Sequence, residues 1–132
     1  MVSVEEQTKS DPNFFTVKSP NPENPEALKH GISLARKVKA KAVLASDPDG
    51  DRIGVAVFNG KDRFECLTGN QVGCMLSEYR ISKLKKLGVL PEAGSRNAVI
   101  LKTFVTTPMM EEIALKNGIR CVNTLTGFKW IS

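Results

Sequence analysis

Histidine, cysteine and aromatic residues are all scarce in this chain of 132 residues, and each scarcity removes a class of function. His30 is the one histidine, and the three cysteines, Cys66, Cys74 and Cys121, form no Cys-x-x-Cys pair. Zinc takes several sulfur or imidazole ligands, so no zinc site is expected and His30 reads as an ordinary helix residue. Unpaired cysteines point to reduced thiols and a cytoplasmic setting rather than a disulfide framework. Aromatic residues make up 6% of the chain. The net charge is +5 and the pI near 9.2, yet the basic residues are scattered, with Lys83, Lys85 and Lys86 the densest group. No aromatics alternate with them to stack on bases, so nucleic acid is not an expected partner. A small anionic substrate suits the charge better. No stretch approaches the roughly 20 apolar residues of a membrane span, and residues 1–7 lack the basic start and apolar run of a leader. No membrane partner is expected.

What is present is a 41% hydrophobic content, enough for a real core. The length suits one domain or two incomplete halves. The first 26 residues hold Pro12, Pro20, Pro22 and Pro25 and read as a loop approaching a helix. Asn24, Pro25 and Glu26 form its start: a capping side chain, a proline tolerated in the first turn, and an acid at the positive end. Leu28, Ile32, Ala35 and Val38 then recur at helical spacing to about Lys39. Residues 41–46 and 53–58 read as strands, Asn59-Gly60 as a hairpin turn, and residues 63–67 as the return strand. A turn and cap at Thr68-Gly69-Asn70 precede a helix whose apolar face, Val72, Met75, Leu76 and Tyr79, is expected in the core, with an end near Gly88. Residues 98–101 and 119–122 read as strands flanking a helix that opens at Thr107-Pro108 and stops at Asn117-Gly118. Strand, helix, strand makes a βαβ unit, so the fold class is α/β, a sheet covered by helices. The acidic hairpin and the later βαβ unit look like parts of two different sheets, with a boundary between Leu67 and Asn70.

The densest chemistry lies in Asp47-Pro48-Asp49-Gly50-Asp51-Arg52, set between the apolar runs 42–45 and 53–58. Three carboxylates brought within roughly 4 Å repel by about 4 kcal/mol per pair at an effective dielectric of about 20, so a curled loop calls for a cation. Pro48 fixes φ and Gly50 can take a positive one, which favours the curl. Oxygen ligands alone suit a hard ion such as Mg²⁺ or Ca²⁺. An EF-hand does not fit. Counting from Asp47, the sixth position should be glycine and the twelfth glutamate, but they are Arg52 and Phe58. Two alternatives stay open. Asp47-Pro48-Asp49-Gly50 is similar to the nucleophile loop of haloacid-dehalogenase-like phosphatases, although Asp51 stands where their threonine should. A solvated acidic turn, or a non-catalytic metal-binding domain built on it, is the other.

Taken together, these motifs resemble the α-D-phosphohexomutases, most closely the phosphoglucomutase and phosphopentomutase branch. The family's metal loop, Asp-x-Asp-x-Asp-Arg after a strand, is matched by residues 47–52, Asn24-Pro25-Glu26 resembles the segment before it, and Leu67-Thr68-Gly69-Asn70-Gln71 and Thr124-Leu125-Thr126-Gly127-Phe128-Lys129-Trp130-Ile131 look like that branch. The resemblance implies a three-layer α/β/α arrangement with a mixed sheet and two partial domains. Residues 1–67 would be the C-terminal part of the second mutase domain and residues 68–132 the N-terminal part of the third. It implies that Asp47, Asp49 and Asp51 bind Mg²⁺, that Arg52 is catalytic and holds phosphate or substrate oxygens, and that Asp51, Thr126 and Gly127 contact substrate. Lys102 is similar in place to a catalytic lysine facing the cleft. An Asp ion pair for Arg52, a plain strand-ending turn at Thr126-Gly127 and an exposed Lys102 are the structural alternatives. The implied reaction interconverts hexose 1-phosphate and hexose 6-phosphate through phosphoserine and a bisphosphorylated sugar, with glucose 1,6-bisphosphate as activator. No Ser-His pair occurs in the chain, so the phosphoserine loop would come from other mutase domains of the same polypeptide. The chain alone is expected to be inactive, and incomplete domains leave room for self-association through open sheet edges.

Overall fold

The computed structural model describes residues 1–131; Ser132, the last residue of the expected segment 68–132, lies outside the described residues. Two compact units divide the chain, Met1–Gly69 and Asn70–Ser132. The first carries a three-stranded antiparallel sheet, β1 (Ala42–Ser46), β2 (Ile53–Phe58) and β3 (Phe64–Leu67), in that order. The second carries a parallel pair, β4 (Val99–Thr103) and β5 (Arg120–Thr124). Antiparallel and parallel pairing are both present, as an α/β chain with mixed strands requires, but each kind has its own sheet.

In the first unit, helix α1 (Lys29–Lys37) is led in by a 3-10 turn, Pro25–Leu28, and the Asn24 side chain accepts the Glu26 N–H at 3.0 Å. Its end is a left-handed cap. Lys39 takes φ 57°, and the Ala40 N–H reaches back to the Ala35 carbonyl at 2.9 Å, the closure that glycine usually supplies. Leu28, Ala35, Val43 and Ala56 are buried together, with Ile32, Ala40, Ala45, Phe64 and Cys66 against them. Removing water from one such leucine stabilises the fold by about 1.5–3 kcal/mol. The helix approaches the sheet closely because position 31 is glycine: a Cβ there would lie 2.6 Å from Val43 Cγ1.

One sequence expectation changes here. The proline-rich start is more than a loop, because Pro22 is fully buried and its carbonyl lies where a Cβ on Gly54 of β2 would stand, 2.2 Å away. The β2–β3 hairpin turns at Asn59-Gly60, between the strands expected on either side. Asn59 Oδ1 accepts the N–H groups of Lys61, Asp62 and Arg63 at 3.0, 3.2 and 3.3 Å, and Gly60 takes φ 83°.

In the second unit, α2 (Gly69–Lys86) ends at Gly88 and α3 (Met109–Lys116) at Gly118, both in the left-handed region, at φ 71° and 67°. The expected core face of α2 is wrong. Met75, Leu76 and Tyr79 are all more than half exposed, and Cys74 and Ile81 are the buried positions. The reason is the neighbour: Met110 of α3 sits where a Cβ on Gly73 would be, 2.9 Å from its Cε, and Ser77 Oγ bonds Met110 Sδ at 3.3 Å. Small residues let the helices approach, and that choice of face outweighs the larger apolar stripe. Asn117 completes the junction, accepting from Lys85 Nζ at 3.0 Å and donating to Glu78 at 3.1 Å and the Ile113 carbonyl at 3.0 Å.

Candidate metal and phosphate site

Residues 47–52 form the tip of the β1–β2 hairpin, closed at its base by the Ser46–Ile53 pair. Gly50, at φ 73°, donates its N–H to the Asp47 carbonyl at 3.1 Å. That tight turn converts an alternating sequence into a cluster: one carboxylate oxygen each from Asp47, Asp49 and Asp51 lies within 4.8 Å of the others. The span fits a hard cation, whose oxygen ligands stand at about 2.0–2.1 Å for Mg²⁺ and 2.3–2.6 Å for Ca²⁺. The donor set contains oxygen only, which also excludes a preference for zinc.

Asp47 is the buried member and Asp49 and Asp51 are exposed. Both oxygens of Asp47 are engaged by one residue. Oδ1 accepts the Arg52 backbone N–H at 3.1 Å and Oδ2 accepts Arg52 Nε at 2.6 Å. Arg52 also approaches Asp51 Oδ1 at 3.6 Å, and its side chain is half exposed. Burial works to raise the Asp47 pKa, but the two bonds from Arg52, the bond with Asp51 and the Arg52 charge outweigh it and hold this carboxyl well below the usual range. Asp51 is pushed up instead, chiefly by its hydrogen bond with Asp47 and then by the charges of Asp49 and Asp47. Crowded carboxylates part in this way when they share a site. A nucleophilic role for Asp47, as a haloacid-dehalogenase-like enzyme would need, is not favoured: Asp51 stands where that loop has threonine, and Arg52 pins both Asp47 oxygens while leaving each a lone pair that suits a cation.

The other expected site residues belong to the second unit. Thr126 and Gly127 are exposed just beyond β5, and Gly127 takes φ 127°, a conformation that requires glycine. Lys102 is buried rather than exposed. Its side chain is 5% exposed, and Nζ donates to the Thr106 carbonyl at 3.2 Å and pairs with Glu111 Oε1 at 3.1 Å. Its ammonium is thus held at the end of β4 by these two partners, and Lys102 is not the exposed lysine of the structural alternative. Strand position alone suggested exposure; the buried face of β4 against the first turn of α3 decided otherwise. Two residues of this cluster, Glu111 and Asn123, carried no sequence signal: Asn123 Nδ2 donates to Glu111 Oε1 at 3.0 Å across elements that the sequence does not place together.

Asn123 and then Lys102 lower the Glu111 pKa against a smaller effect of burial. A depressed folded-state pKa means stabilisation that is complete above the unfolded value of about 4.3 and lost as pH falls through the folded one. Thermal melts of the chain and of Glu111→Gln are therefore expected to differ at neutral pH and to converge below about pH 4.

Comparison with known proteins places these features in one lineage. The model of the phosphoglucomutase/phosphomannomutase α/β/α domain II matches residues 1–60, and that of domain III matches residues 68–132. Mouse glucose 1,6-bisphosphate synthase is 40% identical over 131 residues, 98% of this chain and 21% of that protein. A phosphoglucomutase of Staphylococcus aureus strain USA300 is 34% identical over 129 residues, 98% of this chain and 22% of that protein. A crystal structure of a phosphoglucomutase/phosphomannomutase family protein from Burkholderia thailandensis superimposes with a TM-score of 0.68 at 22% identity, covering 94% of this chain and 24% of that one, a likeness of fold. The chain thus spans about a fifth of the length of the two curated relatives.

Proposed function

Since the chain belongs to the phosphoglucomutase/phosphomannomutase family, we propose that it supplies the cation-binding part and a sugar-contacting turn of a phosphoryl-transfer site acting on hexose phosphates. The observation that carries this reading is the gathering of three carboxylates beside Arg52 at one hairpin tip. Residues 1–67 correspond on this reading to the C-terminal part of domain II and residues 68–132 to the N-terminal part of domain III. The reaction is interconversion of hexose 1-phosphate and hexose 6-phosphate through phosphoserine and a bisphosphorylated sugar.

Asp47, Asp49 and Asp51 would hold Mg²⁺, which when bound neutralises and polarises the phosphoryl group being transferred. Arg52 does two jobs. Its Nε and backbone N–H fix Asp47 as an anion, and its half-exposed terminal nitrogens hold phosphate oxygens in the forked geometry that guanidinium allows. Asp51 turns toward substrate oxygens at the open side of the loop. Thr126 offers a hydroxyl to the sugar, and Gly127 lets the backbone approach closely. Positioning and electrostatics then carry the catalysis, as in phosphoryl transfer generally. Three free thiols fit a cytoplasmic location. The phosphoserine and remaining sugar contacts come from other domains of the same polypeptide, so the isolated chain is inactive.

The 40% identity with glucose 1,6-bisphosphate synthase favours a second reading, in which the bisphosphorylated sugar is itself the product. One assay separates the possibilities. A polypeptide joining this chain to its other mutase domains, given glucose 1-phosphate, Mg²⁺ and glucose 1,6-bisphosphate, is expected to form glucose 6-phosphate while the 132-residue chain forms none. In a parallel arm that adds an acyl phosphate as a separate phosphoryl donor, net accumulation of the bisphosphate in place of glucose 6-phosphate would select the second reading. Release of inorganic phosphate alone would contradict both.

A further inference from the structure

We propose that Asn59 is a self-modifying position: its side-chain amide is lost by attack of the Gly60 nitrogen, while the other Asn-Gly step of the chain, Asn117-Gly118, is held unreactive by its packing. Sequence does not separate the two steps; their hydrogen bonds do. The inference is independent of the reading above.

An Asn-Gly step is open to this chemistry because glycine has no Cβ to shield its nitrogen and because nucleophile and amide lie within one short stretch of chain. The Gly60 nitrogen gives up its proton and bonds to Asn59 Cγ. The Cγ–Nδ2 bond breaks, ammonia leaves, and a cyclic imide remains. Solvent water then adds to either imide carbonyl, giving aspartate or the isoaspartyl form linked through the side chain.

At Asn59 the attacking nitrogen is unengaged. The Gly60 N–H has no hydrogen-bond partner among the described residues, and a methyl placed on Gly60 would meet nothing within 4 Å. Asn59 Oδ1 accepts the Lys61, Asp62 and Arg63 N–H groups, donors that stabilise the negative charge forming on that oxygen. Its Nδ2 has only long bonds, 3.3 Å to Asp62 Oδ1 and 3.4 Å to Glu65 Oε1. Asn117 is the converse. Its Oδ1 is also polarised, by Lys85 Nζ, but the Gly118 N–H donates to the Leu115 carbonyl at 3.1 Å and Asn117 Nδ2 bonds both Glu78 and the Ile113 carbonyl. A Cβ on Gly118 would stand 2.1 Å from the Ala93 carbonyl oxygen, so that step is also packed against its neighbours. Conversion of Asn59 replaces the Nδ2 donor with a carboxylate facing Asp62 and Glu65, and two bonds of the β2–β3 turn become repulsions.

Side-chain amide resonances of the isotopically labelled 132-residue chain, followed during incubation in mildly alkaline buffer, test the proposal. The Asn59 signal is expected to disappear at least about tenfold faster than the Asn117 signal, since Asn117 reacts only when its helix end opens. In concentrated urea, where neither step keeps its hydrogen bonds, the two rates should draw together. Equal native rates would overturn the proposal, as would an Asn59 signal that persists while the unfolded chain loses its own. The product is expected to include the isoaspartyl form, which ring opening supplies; aspartate alone would mean direct hydrolysis by water and would contradict attack by Gly60. In the converted chain, amide exchange at Asp62 and Arg63 is expected to rise, and unchanged exchange there would overturn the loosening of the turn.

Discussion

Gly54→Ala is expected to destabilise the first unit by about 3 kcal/mol, enough to lower its midpoint by roughly 15 °C. The added methyl would stand 2.2 Å from the Pro22 carbonyl oxygen and 2.9 Å from both its carbonyl carbon and Cβ. Two of these atoms are backbone, so no rotamer change relieves the overlap. Pro22 is itself fully buried and stands two residues before the Asn24 cap of the helix entry. The contrast within the same sheet is Gly60, where a methyl meets nothing within 4 Å and only the positive φ of 83° opposes it. Gly60→Ala should cost about 1–2 kcal/mol. Urea unfolding of the two variants checks the ranking; equal losses would mean that the Pro22 segment does not rest on β2.

In the polypeptide that joins this chain to its other mutase domains, the proposed function predicts that Asp49→Asn lowers kcat/KM by at least about 100-fold, a loss of roughly 3 kcal/mol of transition-state stabilisation. Asp49 is the informative member of the triad because it is exposed and takes no part in the Asp47–Arg52 pair. Replacing Asp47 would confound metal binding with the structure of the loop. The Asn side chain keeps the shape and one oxygen but removes a negative charge, so the hairpin should fold normally while the cation is held less tightly. Raising Mg²⁺ should then recover part of the activity. A variant with normal kcat/KM at limiting Mg²⁺ would show that Asp49 is not a ligand.

The features legible in the sequence are those set by local chemistry. The strands around the acidic loop fall within a residue of their expected limits, because the loop's turn residues and the flanking apolar runs leave no other register. Gly88 and Gly118 mark helix ends because left-handed closure needs glycine, whereas Lys39 occupies the same conformation without announcing it. The clustering of Asp47, Asp49 and Asp51 was legible for the same reason, a short turn with Gly50 at positive φ. Contacts chosen by a distant partner were not. Met110 selects the small-residue face of α2, Pro22 selects glycine at position 54, and Glu111 turns Lys102 inward. Arg52 falls between these cases. Its pairing with Asp47 was one of two readings that the sequence left open, and the structure shows that pairing while leaving half the side chain exposed to meet an anion.

On the proposed function, the hairpin tip binds a divalent cation through its aspartates. Titrating Mg²⁺ into the isotopically labelled chain and following its amide resonances tests this most directly, with Asp49→Asn as the comparison. Saturable shifts confined to residues 46–53 and absent or at least about tenfold weaker in Asp49→Asn are the predicted result; shifts spread over the exposed acids at large, or identical in the two proteins, would contradict it.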